Sequence, residues 1–182
     1  MPIKTTKLRD IPDEHLRAIG LVSLHWSAFE TMIFRMIWLF SGMSVEDCRA
    51  LVTHMSFPQR IDALVTMVGL VAPDSPEHKA LAKFAENEIK KKLSAKRASI
   101  VHLDWWPDDL VPSHIKGKLY KARGSLKEES LRMSEADILA IAEEIRAQSS
   151  EFVGLIAEIT PNQLLKLNLT GAALKDHGPK DS

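Results

Sequence analysis

Residues 93–107 read LSAKRASIVHLDWWP and mark the point at which helical periodicity gives way to another pattern. Before this point apolar residues recur at helical spacing, as at Leu93 and Ile100, which is typical of an amphipathic helix. Pro107 lacks a backbone N–H and cannot continue a helix. We therefore predict that a long helix ends near His102 and that a non-helical insertion follows it.

Outward from this stretch, apolar residues spaced by three and four predict helices along most of the chain. Ser44 and Ser134 each precede an aspartate by three residues, as in a helix N-cap, and so predict two of the helix starts. Helices joined by short loops favour an all-α fold, a helical bundle of four to five helices. The predicted helices cover about residues 12–41, 44–54, 58–71, 77–102 and 134–160.

The segment 103–133 is predicted to be a small loop or β-hairpin insertion before the last helix. Residues 115–131 alternate loosely between apolar and polar side chains, and Gly124-Ser125 permits a turn between two strands. We predict a single domain over residues 1–160, because 182 residues are typical of one domain. Residues 161–182 are predicted to be a C-terminal tail.

Composition excludes several classes of protein. The chain has 24 Lys and Arg and 24 Asp and Glu, so no net charge attracts nucleic acid or an anionic membrane to the whole surface. The single cysteine, Cys48, excludes an intrachain disulfide framework and favours a reducing, cytoplasmic location. The sequence also lacks a P-loop, a dinucleotide-binding glycine motif and metal-ligand spacing, so we expect neither cofactor nor metal.

Residues 32–43 are apolar nearly all round the first helix. A membrane span needs about 20 such residues, and Arg35 interrupts this run, so we expect no membrane association. A helix that is apolar all round is instead covered on two sides. We predict that its own domain covers one side and a second copy of the chain covers the other, which makes a homodimer.

Arg97 and His102, with four residues between them, lie at the end of the fourth predicted helix. In this feature the chain resembles the HEPN superfamily (higher eukaryotes and prokaryotes nucleotide-binding), especially its bacterial members. Those all-α domains carry an Arg followed by a His late in a long helix. Residues 101–105 and 26–30 resemble the family as well, and the resemblance covers about residues 12–160.

The resemblance implies metal-independent RNA cleavage by a symmetric homodimer. By position, His102 would be the acid or base, since imidazole exchanges protons near neutral pH, and Arg97 would hold the phosphate. Glu30, which interrupts the apolar stripe of the first helix, is a candidate partner for Arg97. Lys96 and Asp104 flank the pair and are assigned supporting roles.

Ala98 leaves a second class of function open. Active HEPN members usually carry a polar residue, often Asn, directly after the Arg, and alanine offers no side-chain hydrogen bond there. The alternative is a non-catalytic module that binds RNA, a nucleotide or a protein partner of the antitoxin kind. A further alternative is structural: Arg97 in an ordinary salt bridge and His102 ending a helix.

Helical geometry separates Arg97 from His102. Five residues along an α-helix correspond to about 140° of rotation and about 7.5 Å of rise, so the two side chains do not share a face. They meet only if the helix unwinds before His102, if the arginine side chain wraps around the helix, or if a second chain supplies the complementary residue.

Two neighbouring features admit a functional and a structural interpretation. The Trp105-Trp106 pair could stack on bases, but we expect it to pack the chain against the helices. The basic run at residues 90–97 could follow a phosphate backbone, but its upstream glutamates favour a solvated, salt-bridged helix surface. Lys116 and Lys118 of the predicted hairpin could add charge to a cleft.

Overall fold

The computed structural model describes residues 11–73, 75–122 and 126–160, and these are mostly helical with a small sheet before the last helix. The predicted tail, residues 161–182, lies outside them. The prediction of a mostly helical chain with a hairpin before its last helix is confirmed. In chain order the elements are α1 (Asp13–Ser41), α2 (Val45–Thr53), α3 (Phe57–Val71), α4 (Pro76–Phe84), a π-helical segment (Ala85–Leu93), α5 (Ser94–Val101), β1 (Asp104–Pro107), β2 (His114–Ala122), β3 (Leu126–Ser134) and α6 (Glu135–Ile159).

Local side-chain hydrogen bonds start two of the helices at the predicted residues. At α2 the Ser44 hydroxyl accepts a bond of 3.1 Å from the backbone N–H of Asp47. At α6 Ser134 does the same for Asp137, and its own N–H donates to the Asp137 carboxylate at 2.9 Å. The hydrogen bonds from the Ser134 hydroxyl and backbone lower the pKa of Asp137. Both caps satisfy N–H groups that a helix terminus leaves without partners.

The chain forms two compact units, so the predicted single domain over residues 1–160 stays a prediction. Within the described ranges, the first unit comprises residues 11–27 and 91–147 and contains the sheet and α5. The second comprises residues 28–90 and 148–160 and contains α2, α3 and α4. We call them the sheet unit and the helical unit.

The helical unit has an aromatic cluster in its interior. The ring of Phe29 in α1 lies 5.8 Å from Phe57 and 5.9 Å from Phe152, both in edge-to-face geometry. Phe29 and Phe152 are buried. On the surface of the same unit, Lys90 pairs with Asp62 at 2.8 Å and with Glu86 at 2.7 Å. The hydrogen bonds to Asp62 and Glu86 raise the pKa of Lys90.

The sheet unit contains an antiparallel sheet in the order β1-β2-β3. The predicted hairpin, residues 115–131, corresponds to β2 and β3, which are longer than predicted. Strand β1 was not predicted. Side chains alternate between the two faces of a strand, so Ile115 and Met133 are buried on the inner face whereas Lys116 and Arg132 point outward.

The predicted fourth helix spans the correct residues but is not uniformly α-helical, because α4, the π-helical segment and α5 follow one another without interruption. Four buried residues, each four positions after the last, line this run: Leu81, Ala85, Ile89 and Leu93. In an α-helix, residues four positions apart differ in direction by about 40° around the helix axis, since one turn takes about 3.6 residues. The wider i→i+5 winding of a π-helix suits this spacing better.

No helix in the described part of the chain combines the length and the apolar character needed to cross a membrane. The run at residues 32–43 lies at the end of α1 and just beyond it, where Met36 and Ile37 are buried while Met32 and Met43 are exposed.

Candidate functional site

The end of α5 brings the two residues of the predicted site together. The helix ends at Val101, and His102 is its C-cap, with φ −107° and ψ 7° and its N–H donating to the Ala98 carbonyl at 3.1 Å. The departure from helical geometry is therefore confined to His102 itself, whose N–H still makes the i→i−4 bond of an α-helix. No second chain is needed to bring the side chains of Arg97 and His102 into contact.

Arg97 donates a hydrogen bond to His102. Its Nη1 lies 2.9 Å from Nε2 of the imidazole. A guanidinium only donates, so Nε2 must accept, and the ring proton of a neutral His102 must then lie on Nδ1. The His102 side chain is exposed, so the ring is open to solvent and to a ligand. The contact thus fixes the tautomer of an accessible imidazole.

Trp26 of α1 forms a second contact with the Arg97 guanidinium, whose central carbon lies 5.5 Å from the centroid of the indole ring. Trp26 is buried, and a cation over a tryptophan face is attracted by the ring quadrupole. Among the described residues, the buried Nε of Arg97 has no hydrogen-bond partner. The guanidinium therefore has one apolar, aromatic side and one side towards His102. This contact of Trp26 was not predicted from the sequence.

Trp105 joins strand β1 to the end of α5. Its indole N–H donates to the Ile100 carbonyl at 2.8 Å, and its ring lies against Gly117 of β2, where an added Cβ would be 3.0 Å from the ring. Trp105 thus contacts both the end of α5 and strand β2, whereas Trp106 lies on the other face of β1. Because β1 begins two residues after His102, this bond restrains the chain on the C-terminal side of the Arg97–His102 pair.

The predicted supporting residues differ in their surroundings. Lys96 pairs with Glu144 of α6, at 2.6 Å and 2.5 Å to the two carboxylate oxygens. Asp104 is exposed at the start of β1, opposite Lys118 of β2 in the strand register. Glu30 is half-buried in the helical unit, and its pairing with Arg97 stays a prediction.

Comparison with known proteins adds no relative: no family model, no curated protein and no solved structure matches this chain. The HEPN resemblance therefore remains one of motif and helix order. Within the described ranges, no group of three or more His, Cys, Asp or Glu side chains is placed to hold a metal ion. The thiol of Cys48 is buried, and this burial raises its pKa.

The Arg97–His102 hydrogen bond predicts an unusual tautomer that NMR can detect. In ¹⁵N-correlated spectra of the neutral imidazoles, we expect His102 to carry its proton on Nδ1, because Nε2 accepts from Arg97. In Arg97→Ala the proton should move to Nε2, the site that a free imidazole prefers. A proton on Nε2 in the unaltered chain would show that the two side chains do not make this bond in solution.

Proposed function

We propose that this chain is a HEPN-like protein that cleaves RNA without a metal ion through Arg97 and His102. The observation that supports the proposal is the 2.9 Å contact between the guanidinium and the exposed imidazole. An arginine can hold two phosphate oxygens with its planar fork, and a histidine next to it can move a proton. Two side chains this close together could act on one phosphodiester.

The reaction follows from these two groups. His102 Nε2 takes the proton of a ribose 2′-hydroxyl, and the 2′-oxygen forms a bond to the adjacent phosphorus. The bond from phosphorus to the 5′-oxygen breaks, and that oxygen takes a proton back from the imidazolium. The products are a 2′,3′-cyclic phosphate and a 5′-hydroxyl. Arg97 stabilises the negative charge that builds on the phosphate oxygens in the transition state.

Because of this contact, the substrate must displace Arg97 from His102 before the imidazole can accept a proton. While Arg97 donates to Nε2, the lone pair that would take the 2′-proton is occupied. A phosphate competes for the guanidinium with two charge-assisted hydrogen bonds, which are stronger than the bond to a neutral imidazole. Binding of the phosphodiester would thus turn Arg97 away from His102 and release Nε2.

The second candidate function is a binding module without catalysis, and Ala98 favours it. This residue follows Arg97 directly and offers no side-chain donor or acceptor to orient a substrate. Arg97 could then hold a phosphate of RNA or a nucleotide, or the carboxylate of a protein partner, with His102 as a neutral neighbour. The same experiment distinguishes the two candidates.

We also propose that the chain acts as a homodimer in the cytoplasm. Two large apolar side chains of α1 are exposed in the sheet unit: Leu21 and Leu24. Exposed apolar residues along one helix are typical of a surface that another chain covers. Sedimentation velocity of the chain and of Leu24→Glu tests this, since a charge in the interface should shift the dimer to monomer.

Cleavage of a mixed RNA pool in EDTA tests the catalytic proposal. We expect Arg97→Ala and His102→Ala each to lower the rate at least about a hundredfold, the usual contribution of acid–base catalysis. His54→Ala is the matched control, because His54 is likewise an exposed histidine at a helix C-cap. Products should carry a cyclic phosphate end.

Intact RNA that the unaltered chain still binds, with binding lost in Arg97→Ala, would establish the binding module instead. Cleavage that persists in His102→Ala would contradict both roles assigned to this histidine. Circular dichroism of each variant should match that of the unaltered chain, so that a lost activity is not a lost fold.

A further inference from the structure

The outer face of the sheet contains a groove that plays no part in the Arg97–His102 pair. It encloses about 310 Å³, within the range of sites that hold small organic ligands. One aromatic ring and three cationic side chains contribute to it. Its lining residues are Trp106, Lys116, Gly117, Lys118, Ser130 and Arg132.

Strand register explains why these residues meet. Trp106 of β1 lies opposite Lys116 of β2, which lies opposite Arg132 of β3, so the three form one row across the sheet. Asp104, Lys118 and Ser130 form the next row on the same face, two residues away along each strand. Trp105 points to the other face, so consecutive tryptophans serve different sides of β1.

The residues that line the groove supply three cations, and the carboxylates nearby lie around them: Asp104 is opposite Lys118 in the strand register. Within the described part of the chain, none of the lining residues is acidic. Arg132 pairs with Asp108 yet remains 52% exposed, and Lys116 lies 3.4 Å from Asp109, a carboxylate that is 89% exposed. The Lys116–Asp109 pair is weak, because it is long and solvent screens its exposed carboxylate, so a phosphate can take the place of Asp109.

We propose that this groove binds single-stranded nucleic acid. An unpaired base would stack on Trp106, and the phosphates beside it would lie against Lys116 and Lys118. A sheet face that combines aromatic and cationic side chains is suited to single-stranded nucleic acid. Every base has a face that can stack on an aromatic ring, and every nucleotide carries a negatively charged phosphate. A base inside a duplex has no free face, so duplexes should bind more weakly.

The groove lies close to the proposed cleavage site along the chain. Trp106 follows His102 by four residues, so their Cα atoms are at most about 14 Å apart even if the chain is fully extended. A strand bound in the groove would therefore pass near His102. The proposal does not depend on cleavage, since it rests on the groove alone.

Fluorescence anisotropy with labelled single strands tests the groove. The probes are a DNA oligonucleotide and a 2′-O-methyl RNA of the same sequence, which have no free 2′-hydroxyl and cannot be cleaved. We expect Trp106→Ala to weaken binding about tenfold and Trp106→Phe to weaken it much less, because stacking needs only an aromatic face. The two probes show whether the groove prefers RNA or DNA.

Salt dependence gives an independent readout of the lysines. For single strands the slope of log affinity against log salt changes by about 0.7 for each phosphate contact. We expect Lys116→Gln and Lys118→Gln each to reduce the slope by about that amount. Lys79→Gln and Lys83→Gln, at exposed positions of α4, are the matched controls and should leave it unchanged. Arg132 is left intact because it also pairs with Asp108.

Binding that is undetectable, equally strong for duplex DNA, or unchanged in Trp106→Ala and both lysine variants would overturn the proposal. Separate readouts distinguish the two sites: cleavage measures the effect of Arg97→Ala and His102→Ala, and affinity for the uncleavable probes measures the effect of Trp106→Ala and the two lysine variants. Absence of cleavage together with intact binding in the groove would contradict the proposed function but not the groove proposal. Absence of groove binding together with intact cleavage would contradict the groove proposal but not the proposed function.

Discussion

Phe152→Ala is expected to lower the free energy of unfolding by about 3–5 kcal/mol, the usual cost of removing a buried phenylalanine side chain. Phe152 has no exposed surface, and its ring packs edge-to-face on that of Phe29, 5.9 Å away. Truncation both returns apolar surface to water and leaves a cavity that surrounding side chains fill only in part. Urea unfolding followed by circular dichroism measures the change.

Two comparisons make this result specific. Leu70→Ala removes a side chain that is 79% exposed in α3 of the same unit, and should change the free energy of unfolding by less than about 0.5 kcal/mol. A cycle of Phe29→Leu and Phe152→Leu should show a coupling of about 0.5–1.5 kcal/mol between the two rings. A loss below about 1 kcal/mol in Phe152→Ala would contradict the packing described for the helical unit.

Arg132→Met is expected to lower the free energy of unfolding by about 3 kcal/mol, although Arg132 itself is half exposed. The cause is Asp108, whose side chain has no exposed surface and whose Oδ2 lies 2.7 Å from Nε of Arg132. These atoms form an ion pair without hydrogen-bond alignment, since Oδ2 makes no hydrogen bond among the described residues. Removing the cation leaves a buried carboxylate without its countercharge, whereas methionine keeps much of the apolar stem.

A second substitution distinguishes charge from packing. In Arg132→Met with Asp108→Asn, the stranded charge is gone, and the side-chain oxygen can still accept from the backbone N–H of Leu110, as the carboxylate does at 3.0 Å. We expect this double variant to recover most of the lost free energy. A double variant as unstable as Arg132→Met would show that the arginine stabilises the sheet through contacts other than the ion pair.

The helices could be predicted because their signals are local. Ser44 and Ser134 act through hydrogen bonds to residues only three positions away, so a few letters of sequence suffice to place the helix starts. The hairpin was predicted from alternation and from a turn signal. These features depend on short-range chemistry, which a single sequence displays.

The features that were missed depend on contacts between distant parts of the chain. Strand β1 has four residues, and its pairing with Lys116 and Gly117 of β2 has no signature in its own composition. Likewise, regular helical geometry argued against contact between Arg97 and His102. The contact joins the long arginine side chain to the C-cap residue of α5, and spacing along a regular helix does not predict it.

The π-helical segment has a consequence for insertions and deletions. If its buried positions Ala85, Ile89 and Leu93 kept strict α-helical winding, two steps of four residues would accumulate about 80° of rotation. The wider winding absorbs that rotation, so the number of residues between Ala85 and Leu93 determines which side chains of the segment are buried. Insertion or deletion of one residue there would move Ile89 or Leu93 out of the buried row, even with an unchanged Arg-x4-His motif.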